Sequence, residues 1–334
     1  MSETAQSLPE TLPSADALSD LLSAMHLAGS VLFRAEFREP WSVMSPDSVQ
    51  LSGLLPVRSR HVIPFHVIAS GSCRLVLPGQ PPVRLVEGDA VLLPYGHAHE
   101  LKGEADIPII PIGGLLPTLP WTNPCVVRYG GAGALTSIIC GYVQCDELLF
   151  HPVLRHLPAL LHVSPDGTPA DAWLASTIRH TATEAIRALP GSRSMLPRLT
   201  ELMFVEILRK HMLGLSANEV GWFAAFKDPV AGAALRRLHA EPLRDWSVER
   251  LAGDIGVSRT VLAKRFKHFL AQPPMQYLAG WRLQLAAQEM KSSGLPMKTI
   301  AVRSGYESEP AFNRAFKRQF GLPPGVWRKQ QMQP

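Results

Sequence analysis

The chain has 334 residues, of which 46% are hydrophobic and 18% are charged, so two to three domains with apolar cores are expected. Because the sequence contains no run of about 18 apolar residues and no basic-then-apolar opening segment, we expect neither a membrane span nor an export signal, and a cytoplasmic location. Four cysteines in a chain of this length do not predict a disulfide scaffold.

The net charge of +5 is divided unevenly along the chain. Residues 228–334 contain 17 Lys+Arg and 8 Asp+Glu, a balance of +9, whereas residues 1–227 have a balance of −4. A localised basic excess is what neutralisation of DNA phosphates requires. The charge distribution therefore makes the last third of the chain the candidate DNA-binding part.

The N-terminal body has the pattern of a β-rich domain. Residues 1–15 have the composition of a disordered tail, and a helix is predicted over about Asp16–Leu27. Short strand-like runs punctuated by proline and glycine follow, and this pattern predicts an antiparallel sandwich or barrel. We assign residues 16–165 to this domain.

One segment of this domain, Gly88-x5-Pro94-x-Gly96-x2-His99, has the spacing of the second sequence motif of the cupin superfamily. The motif predicts a hairpin turn at Gly88, a strand, and a second turn at Pro94–Gly96 that returns His99 into the barrel. The first cupin motif is reduced to Phe65–Gly71 and lacks the usual histidine pair and glutamate. The resemblance implies a cupin-like antiparallel β-barrel.

Three side chains of this domain are candidates for chemistry: His66, His99 and Cys140. Each lies on a predicted strand, and alternate strand residues of a small barrel point inward. Converging imidazole and thiolate groups would hold Zn²⁺ or copper, with His97 and Cys73 as reserve ligands. Alternatively, a thiolate at Cys140 stabilised by histidine would be a redox sensor. A third interpretation is that all three are ordinary buried core residues.

Residues 166–214 contain two segments with apolar side chains at helical spacing. One helix would cover the barrel while the other forms a symmetric dimer, or both would pack within their own chain. Residues 215–229 are predicted to be a linker.

Residues 230–334 contain two similar helix-turn-helix patterns. In the first, Gly256 supplies the turn and Ser258 caps a helix over Arg259–Leu270. In the second, Gly305 supplies the turn and the second helix extends over Ala311–Phe320. Two short helices joined by a glycine turn place the second helix in the major groove of DNA.

The outward positions of these two second helices carry groups suited to base edges and phosphates. A solvated helix face would look the same in one helix, but two such faces at equivalent positions favour DNA binding. The candidate DNA-binding residues are Arg259, Thr260, Lys264, Arg265, Lys267, His268, Ser308, Glu309, Asn313, Arg314, Lys317 and Arg318.

About a hundred C-terminal residues, including the closing SGYESEPAFNRAFKRQFGLPPGVWR, resemble the DNA-binding domain of AraC/XylS family transcription regulators. The resemblance implies that the two units enter successive major grooves, and that a linking helix at about Pro274–Ser293 sets their separation. Pro310 departs from the family pattern, but proline is tolerated in the first turn of a helix.

The N-terminal body, over about Leu18–Val163, resembles the cupin-type sensor domain of a branch of this family that includes a sensor of reactive chlorine species. The segments that carry this resemblance contain Trp41, His66, His99 and Cys140. It implies a redox-active cysteine at Cys140, but no cysteine precedes Cys73, so a disulfide partner in the N-terminal region has no counterpart here.

Together these patterns predict an α+β protein of two domains: a cupin-like antiparallel β-barrel with a helical pair, and an all-α domain with two helix-turn-helix units. We predict a homodimeric transcription regulator, an activator in the family's commoner mode, that binds double-stranded promoter or operator DNA, contacts RNA polymerase and responds to a small effector or oxidant. No enzymatic activity is expected. The alternatives are a cupin metalloenzyme fused to a DNA-binding domain, and a constitutive DNA binder with a vestigial sensor.

Overall fold

A computed structural model describes residue 19 and residues 27–54, 62–117, 125–144, 156–165, 172–187, 189–216 and 219–332. The chain divides into two compact units, one of Met25–Ala217 and one that contains Asn218–Pro334. The predicted tail lies outside the described residues, as does the helix predicted at about Asp16–Leu27 apart from residues 19 and 27. Within the described residues, no helix is long and apolar enough to cross a membrane.

Two β-sheets form the framework of the first unit. Their strands are β1 (Ala28–Arg38), β2 (Ser42–Ser45), β3 (Val62–Ser70), β4 (Ser72–Val76), β5 (Val83–Val86), β6 (Ala90–Leu92), β7 (His99–Lys102), β8 (Ile110–Pro111), β9 (Cys125–Gly130), β10 (Leu135–Gln144) and β11 (Leu161–Val163). One sheet has six strands in the order β11-β6-β3-β10-β1-β9, and the other has five in the order β5-β4-β7-β2-β8. A short helix α1 (Ser48–Leu54) follows β2.

The predicted antiparallel barrel needs correction in two respects. As far as the described residues extend, the strands form two separate sheets and not one closed barrel. In addition, β9 pairs in parallel with β1, and β8 pairs in parallel with β2. Parallel pairing is possible because long connections separate the paired strands in sequence. Both sheets contribute to one apolar core, which includes Phe37, Trp41, Leu75, Leu101 and Ile138.

Two helices, α2 (Ala172–Arg187) and α3 (Ser192–Gly214), lie within the segment predicted to be helical. They pack against each other, and both also pack against β1. The approach of α3 to β1 is close, because a Cβ at Gly29 would lie 2.6 Å from the side chain of Thr200, which is fully buried. Both helices therefore bury one face within their own chain.

The regular secondary structure of the second unit is helical in its described residues. The helices are α4 (Trp222–Lys227), α5 (Pro229–Ala240), α6 (Val248–Asp254), α7 (Arg259–Leu270), α8 (Pro274–Ser292), α9 (Met297–Arg303), α10 (Glu309–Phe320) and α11 (Pro324–Met332). Two helix-turn-helix units, α6–α7 and α9–α10, lie on either side of the linking helix α8, as predicted. Gly256 and Gly305 adopt φ angles of +72° and +80°, the left-handed conformation that their turns require.

The predicted linker 215–229 is wrong over its second half. Trp222 of α4 is 1% exposed, and its indole N–H donates to the hydroxyl of Tyr277 in α8 at 2.8 Å. Asp228 then caps α5. The apolar run of this segment makes it part of the core of the second unit, because a buried tryptophan needs both apolar neighbours and a partner for its N–H.

Candidate functional site

A cavity of about 440 Å³ lies in the first unit. Strands of both sheets line it, together with α1 and the turn that follows β8. Its volume falls within the range of small-molecule sites in proteins. The lining residues are Leu32, Phe33, Phe37, Val43, Ser45, Pro46, Leu51, Pro64, His66, Leu101, Ile112, Gly113, Leu116, Pro117, Cys140 and Gly141.

The structure brings His66, His99 and Cys140 together. Cys140 of β10 lies directly opposite His66 of β3, so the two side chains leave the same face of the six-stranded sheet. His99 begins β7 in the other sheet and is fully buried. The cupin-like turn delivers it as predicted, with Gly96 in the left-handed conformation at φ +61°.

These three side chains form a continuous hydrogen-bonded chain. The Sγ atom of Cys140 lies 3.1 Å from Nδ1 of His66, and Nε2 of His66 lies 2.7 Å from Nε2 of His99. The other nitrogen of His99, Nδ1, lies 2.9 Å from the carbonyl oxygen of His97. A carbonyl oxygen can only accept, so Nδ1 of His99 carries a proton and donates it.

The direction of the whole chain follows from that one bond when both imidazoles are neutral. Nε2 of His99 is then an acceptor, so Nε2–H of His66 donates to it. Nδ1 of His66 is left as an acceptor, and the thiol of Cys140 donates to it. All four ring nitrogens are therefore engaged.

Burial keeps the members of this chain in their neutral forms. It lowers the pKa of His66 well below 6.5, and the neighbouring His99 lowers it further. It also lowers the pKa of His99 to about 4, against the opposing effect of the hydrogen bond to His97. Burial, reinforced by Cys73, raises the pKa of the Cys140 thiol well above 9.0. Near neutral pH the cavity wall thus presents a thiol and an imidazole, both without charge.

This arrangement does not fit one metal ion bound by all three side chains. Cys140 and His99 contact different nitrogens of the His66 ring, and these point away from each other, so no single ion can touch all three donors. Tetrahedral zinc needs ligand atoms that converge on one point about 2.0–2.3 Å away. Among the described residues, no group of three or more His, Cys, Asp or Glu is placed to hold a metal ion.

Within the described residues, no hydrogen bond joins the side chain of either reserve ligand to this chain. His97 is exposed and contributes its backbone carbonyl. Cys73 is 1% exposed within the apolar core. Burial, with the carboxylates of Asp89 and Glu39, raises the pKa of Cys73 to about 12, so it is a protonated core thiol.

Buried neutral histidines make stability depend on pH in both units. In the second unit, burial lowers the pKa of His239 to about 4, and its Nε2 lies 2.7 Å from the Tyr277 hydroxyl. The unfolded chain takes up a proton near pH 6.5 but the folded chain does not, so stability is complete above pH 6.5 and falls as the pH drops toward 4.

We expect His239→Gln to flatten this dependence, because the glutamine amide reaches the same hydroxyl without titrating. Between pH 7.5 and 5.5 the wild type should lose about 1 kcal/mol more than the variant. The measurement is the free energy of unfolding at both values. His268→Gln, at an exposed histidine of α7, is the matched control. Equal pH dependence of wild type and His239→Gln would contradict the assignment.

The candidate DNA-binding residues lie on α7, on α10 or at the N-cap of α10. The hydroxyls of Ser258 and Ser308 cap these helices, accepting from Val261 N and Ala311 N. Arg265, Glu309 and Asn313 are half-buried. The exposed members are Arg259, Thr260, Lys264, Lys267, His268, Ser308, Arg314, Lys317 and Arg318.

Arg265 makes an inward contact that the sequence did not predict. Its guanidinium donates to the carboxylate of Asp228, whose side chain is 1% exposed, and it lies over the Phe269 ring at 4.9 Å. Burial alone would raise the pKa of Asp228, but Arg265 and the backbone N–H of Ala231 outweigh it and hold the pKa below its usual value. Arg265 therefore ties α7 to the start of α5.

Several site residues were missed by reasoning from the sequence. Ser45 and Leu51 line the cavity from β2 and α1, elements too short to show a period. Asp228 did carry a signal, because an aspartate directly before proline is a common N-cap pattern, with proline at the first helical position.

Comparisons with known proteins match both units. Residues 16–213 match the Cupin family, so the match extends through α2 and α3, and residues 251–330 match a helix-turn-helix domain family. An AraC-like transcription regulator of Streptomyces lividans is 33% identical over 82% of this chain and 88% of its own length. Another, from Streptomyces antibioticus, is 31% identical over 96% of this chain and 99% of its own. The RCS-specific transcriptional activator RclR of Escherichia coli is 27% identical over 80% of this chain and 84% of its own.

Proposed function

This chain belongs to the AraC family of DNA-binding transcription regulators, with an N-terminal cupin domain, and on that premise we propose that a small effector in the cupin cavity controls how it binds promoter DNA. The observation that carries this proposal is the cavity itself, about 440 Å³ and lined by both sheets. We further propose that the protein is an activator that contacts RNA polymerase, and that it performs no catalysis.

The first strand offers a route by which occupancy of the cavity would reach the helical pair. Leu32 and Phe33 of β1 line the cavity, and the pairing of β1 with β10 is irregular between Val31 and Phe33. At Gly29 the same strand is in close contact with α3. An effector shifts the equilibrium between two arrangements of β1 and α3 only to the extent that it binds one of them more tightly.

We propose that a second copy of the chain covers the exposed face of α3. Met195, Leu202 and Leu213 are 49%, 45% and 74% exposed, and their spacings of seven and eleven residues place them on one side of the helix. If two copies of α3 cross antiparallel at Leu202, Arg198 of each faces Glu206 of the other. This arrangement is apolar at its centre, and its charges are complementary.

Leu202→Glu is expected to convert the dimer into a monomer at micromolar concentration, because it would bury two like charges at the centre of the contact. Molar mass from light scattering coupled to size exclusion provides the measurement. Ile186→Glu is the matched control, since Ile186 of α2 is also 45% exposed. A dimer that persists in Leu202→Glu, or that is lost in both variants, would refute the α3 contact.

The effector proposal is tested by filling the cavity. Leu116→Trp places a bulky side chain at a half-buried lining position, and Leu115→Trp does so at the neighbouring half-buried position outside the lining. We expect Leu116→Trp to mimic an occupied cavity. Its affinity for a DNA sequence selected with the full-length wild-type protein should differ from that of the wild type by about five-fold or more, within the usual range of coupling between two sites. Leu115→Trp should match the wild type. Identical affinities in all three would indicate a vestigial sensor.

Redox sensing at Cys140 is a second candidate, favoured by the 3.1 Å contact between its sulfur and His66 at the cavity wall. The protonated, 4% exposed thiol predicts slow reaction, because the thiolate is the reactive form. We expect iodoacetamide and stoichiometric hypochlorous acid to modify the half-buried Cys125 before Cys140, as read by peptide mass spectrometry. Cys140 oxidised first would replace the effector proposal with a redox sensor.

A further inference from the structure

We propose that the effector is a neutral, apolar molecule, and that the cavity discriminates against ligands of the same shape that carry a carboxylate or an ammonium group. This inference rests on the proposed function, because it names the class of molecule that the cavity takes. Three properties of the described lining support it: its size, its hydrogen bonding and its charge.

The volume suits a ligand larger than a single ring. An engineered apolar cavity of about 150 Å³ binds benzene, so a cavity of about 440 Å³ corresponds to a ligand of roughly 10–20 non-hydrogen atoms. The described lining side chains are apolar apart from those of Ser45, His66 and Cys140. A ligand that fills this space therefore buries mostly hydrocarbon, which contributes about 25 cal/mol per Å² of apolar surface.

The polar wall is already satisfied by its own hydrogen bonds. His66 accepts from the Cys140 thiol at one nitrogen and donates to His99 at the other. His99 is engaged at both nitrogens, and the chain ends on the carbonyl oxygen of His97. A carboxylate that took a proton donor from His66 would break this chain, leaving Nε2 of the buried His99 without its partner.

Among the described lining residues, the wall also carries no positive charge with which to attract an anion. Burial lowers the pKa values of both imidazoles, so they are neutral near pH 7. An ionised group brought into such surroundings loses its hydration without gaining a counter-ion. The same reasoning applies to an ammonium group, because burial keeps the Cys140 thiol protonated.

Three ligands with the same ten-carbon chain separate charge from shape: 1-decanol, decanoate and decylammonium. We expect full-length protein at pH 7.5 to bind 1-decanol at least about ten-fold more tightly than either ion by titration calorimetry. Leu116→Trp should abolish binding of 1-decanol, and Leu115→Trp should retain it. That pair of variants places the alcohol in the cavity.

A cation added to the wall should change this preference. Ser45 of β2 lines the cavity and is half-buried, while its neighbour Met44 is half-buried and lies outside the lining. Ser45→Lys is expected to bring the affinity for decanoate up to or above that for 1-decanol. Met44→Lys, which adds the same charge at the next position of the strand, should keep the wild-type order.

The outcomes separate this inference from the proposed function. Decanoate or decylammonium that binds the wild type as tightly as 1-decanol, and is lost in Leu116→Trp, would overturn the neutral ligand class while retaining the cavity as the effector site. An unchanged preference in Ser45→Lys would show that charge at the wall does not select the ligand. If none of the three ligands binds and Leu116→Trp leaves DNA affinity unchanged, both proposals fail.

Discussion

Replacing Asp228 with alanine is expected to lower the free energy of unfolding of the DNA-binding unit by about 3 kcal/mol. Its carboxylate accepts from Val230 N at 3.1 Å and from Ala231 N at 2.7 Å, and so caps α5. The same carboxylate receives the guanidinium of Arg265. Alanine would leave a buried backbone N–H without a partner, and α7 would lose its tie to α5.

A second variant separates the contribution of charge to the free energy of unfolding from the contribution of helix capping. Asp228→Asn keeps an oxygen that caps α5 but loses the ion pair with Arg265, so we expect about 1 kcal/mol of destabilisation. Denaturant unfolding of the full chain, followed by tryptophan fluorescence, gives both values, because Trp222 lies in the same core.

Asp245→Ala is the matched control for Asp228→Ala. Asp245 is 92% exposed and pairs with Arg250 at the surface, so its loss should cost less than about 0.5 kcal/mol. If Asp228→Ala proved as mild as this control, the cap and the contact with Arg265 would not hold α5 and α7 together.

The helix-turn-helix units could be predicted from sequence almost to the residue. In the first helix-turn-helix unit, the second helix is both predicted and found at Arg259–Leu270. The linking helix ends one residue earlier than predicted, at Ser292. The helix boundaries can be predicted because capping serines and turn glycines occur at the ends of the helices. Pro310 lies in the first turn of α10, where the missing N–H costs nothing.

The sensor unit was predicted less completely. The cupin-like motif located His99, and its partners His66 and Cys140 were correctly expected to lie near it. Their arrangement as a chain, unsuited to one metal ion, depends on which ring nitrogen faces which neighbour, and no sequence spacing encodes that orientation. The pairing of strands such as β1 with β9 could not be predicted from the sequence either. Contacts between residues distant in sequence produce no periodic pattern of residues along the chain.

Arg314→Ala is expected to weaken binding to selected DNA by about 1–3 kcal/mol without changing the free energy of unfolding. Arg314 is exposed on α10, together with Lys317 and Arg318. Arg265→Ala should differ, losing stability as well as affinity, because Arg265 also contacts Asp228. Fluorescence anisotropy at several salt concentrations measures the affinity.

How the loss of affinity depends on base position and on salt concentration identifies the part of the DNA that Arg314 contacts. A loss concentrated at one base position indicates contact with a base edge, whereas a uniform loss, with the salt slope reduced by about one, indicates a phosphate. Arg128→Ala, at a 71% exposed arginine in the sensor unit, controls for the change in net charge. If Arg314→Ala and Lys317→Ala both bind DNA as tightly as Arg128→Ala, this face of α10 does not enter the groove. DNA recognition would then depend on α7, whose exposed cations are Arg259, Lys264 and Lys267.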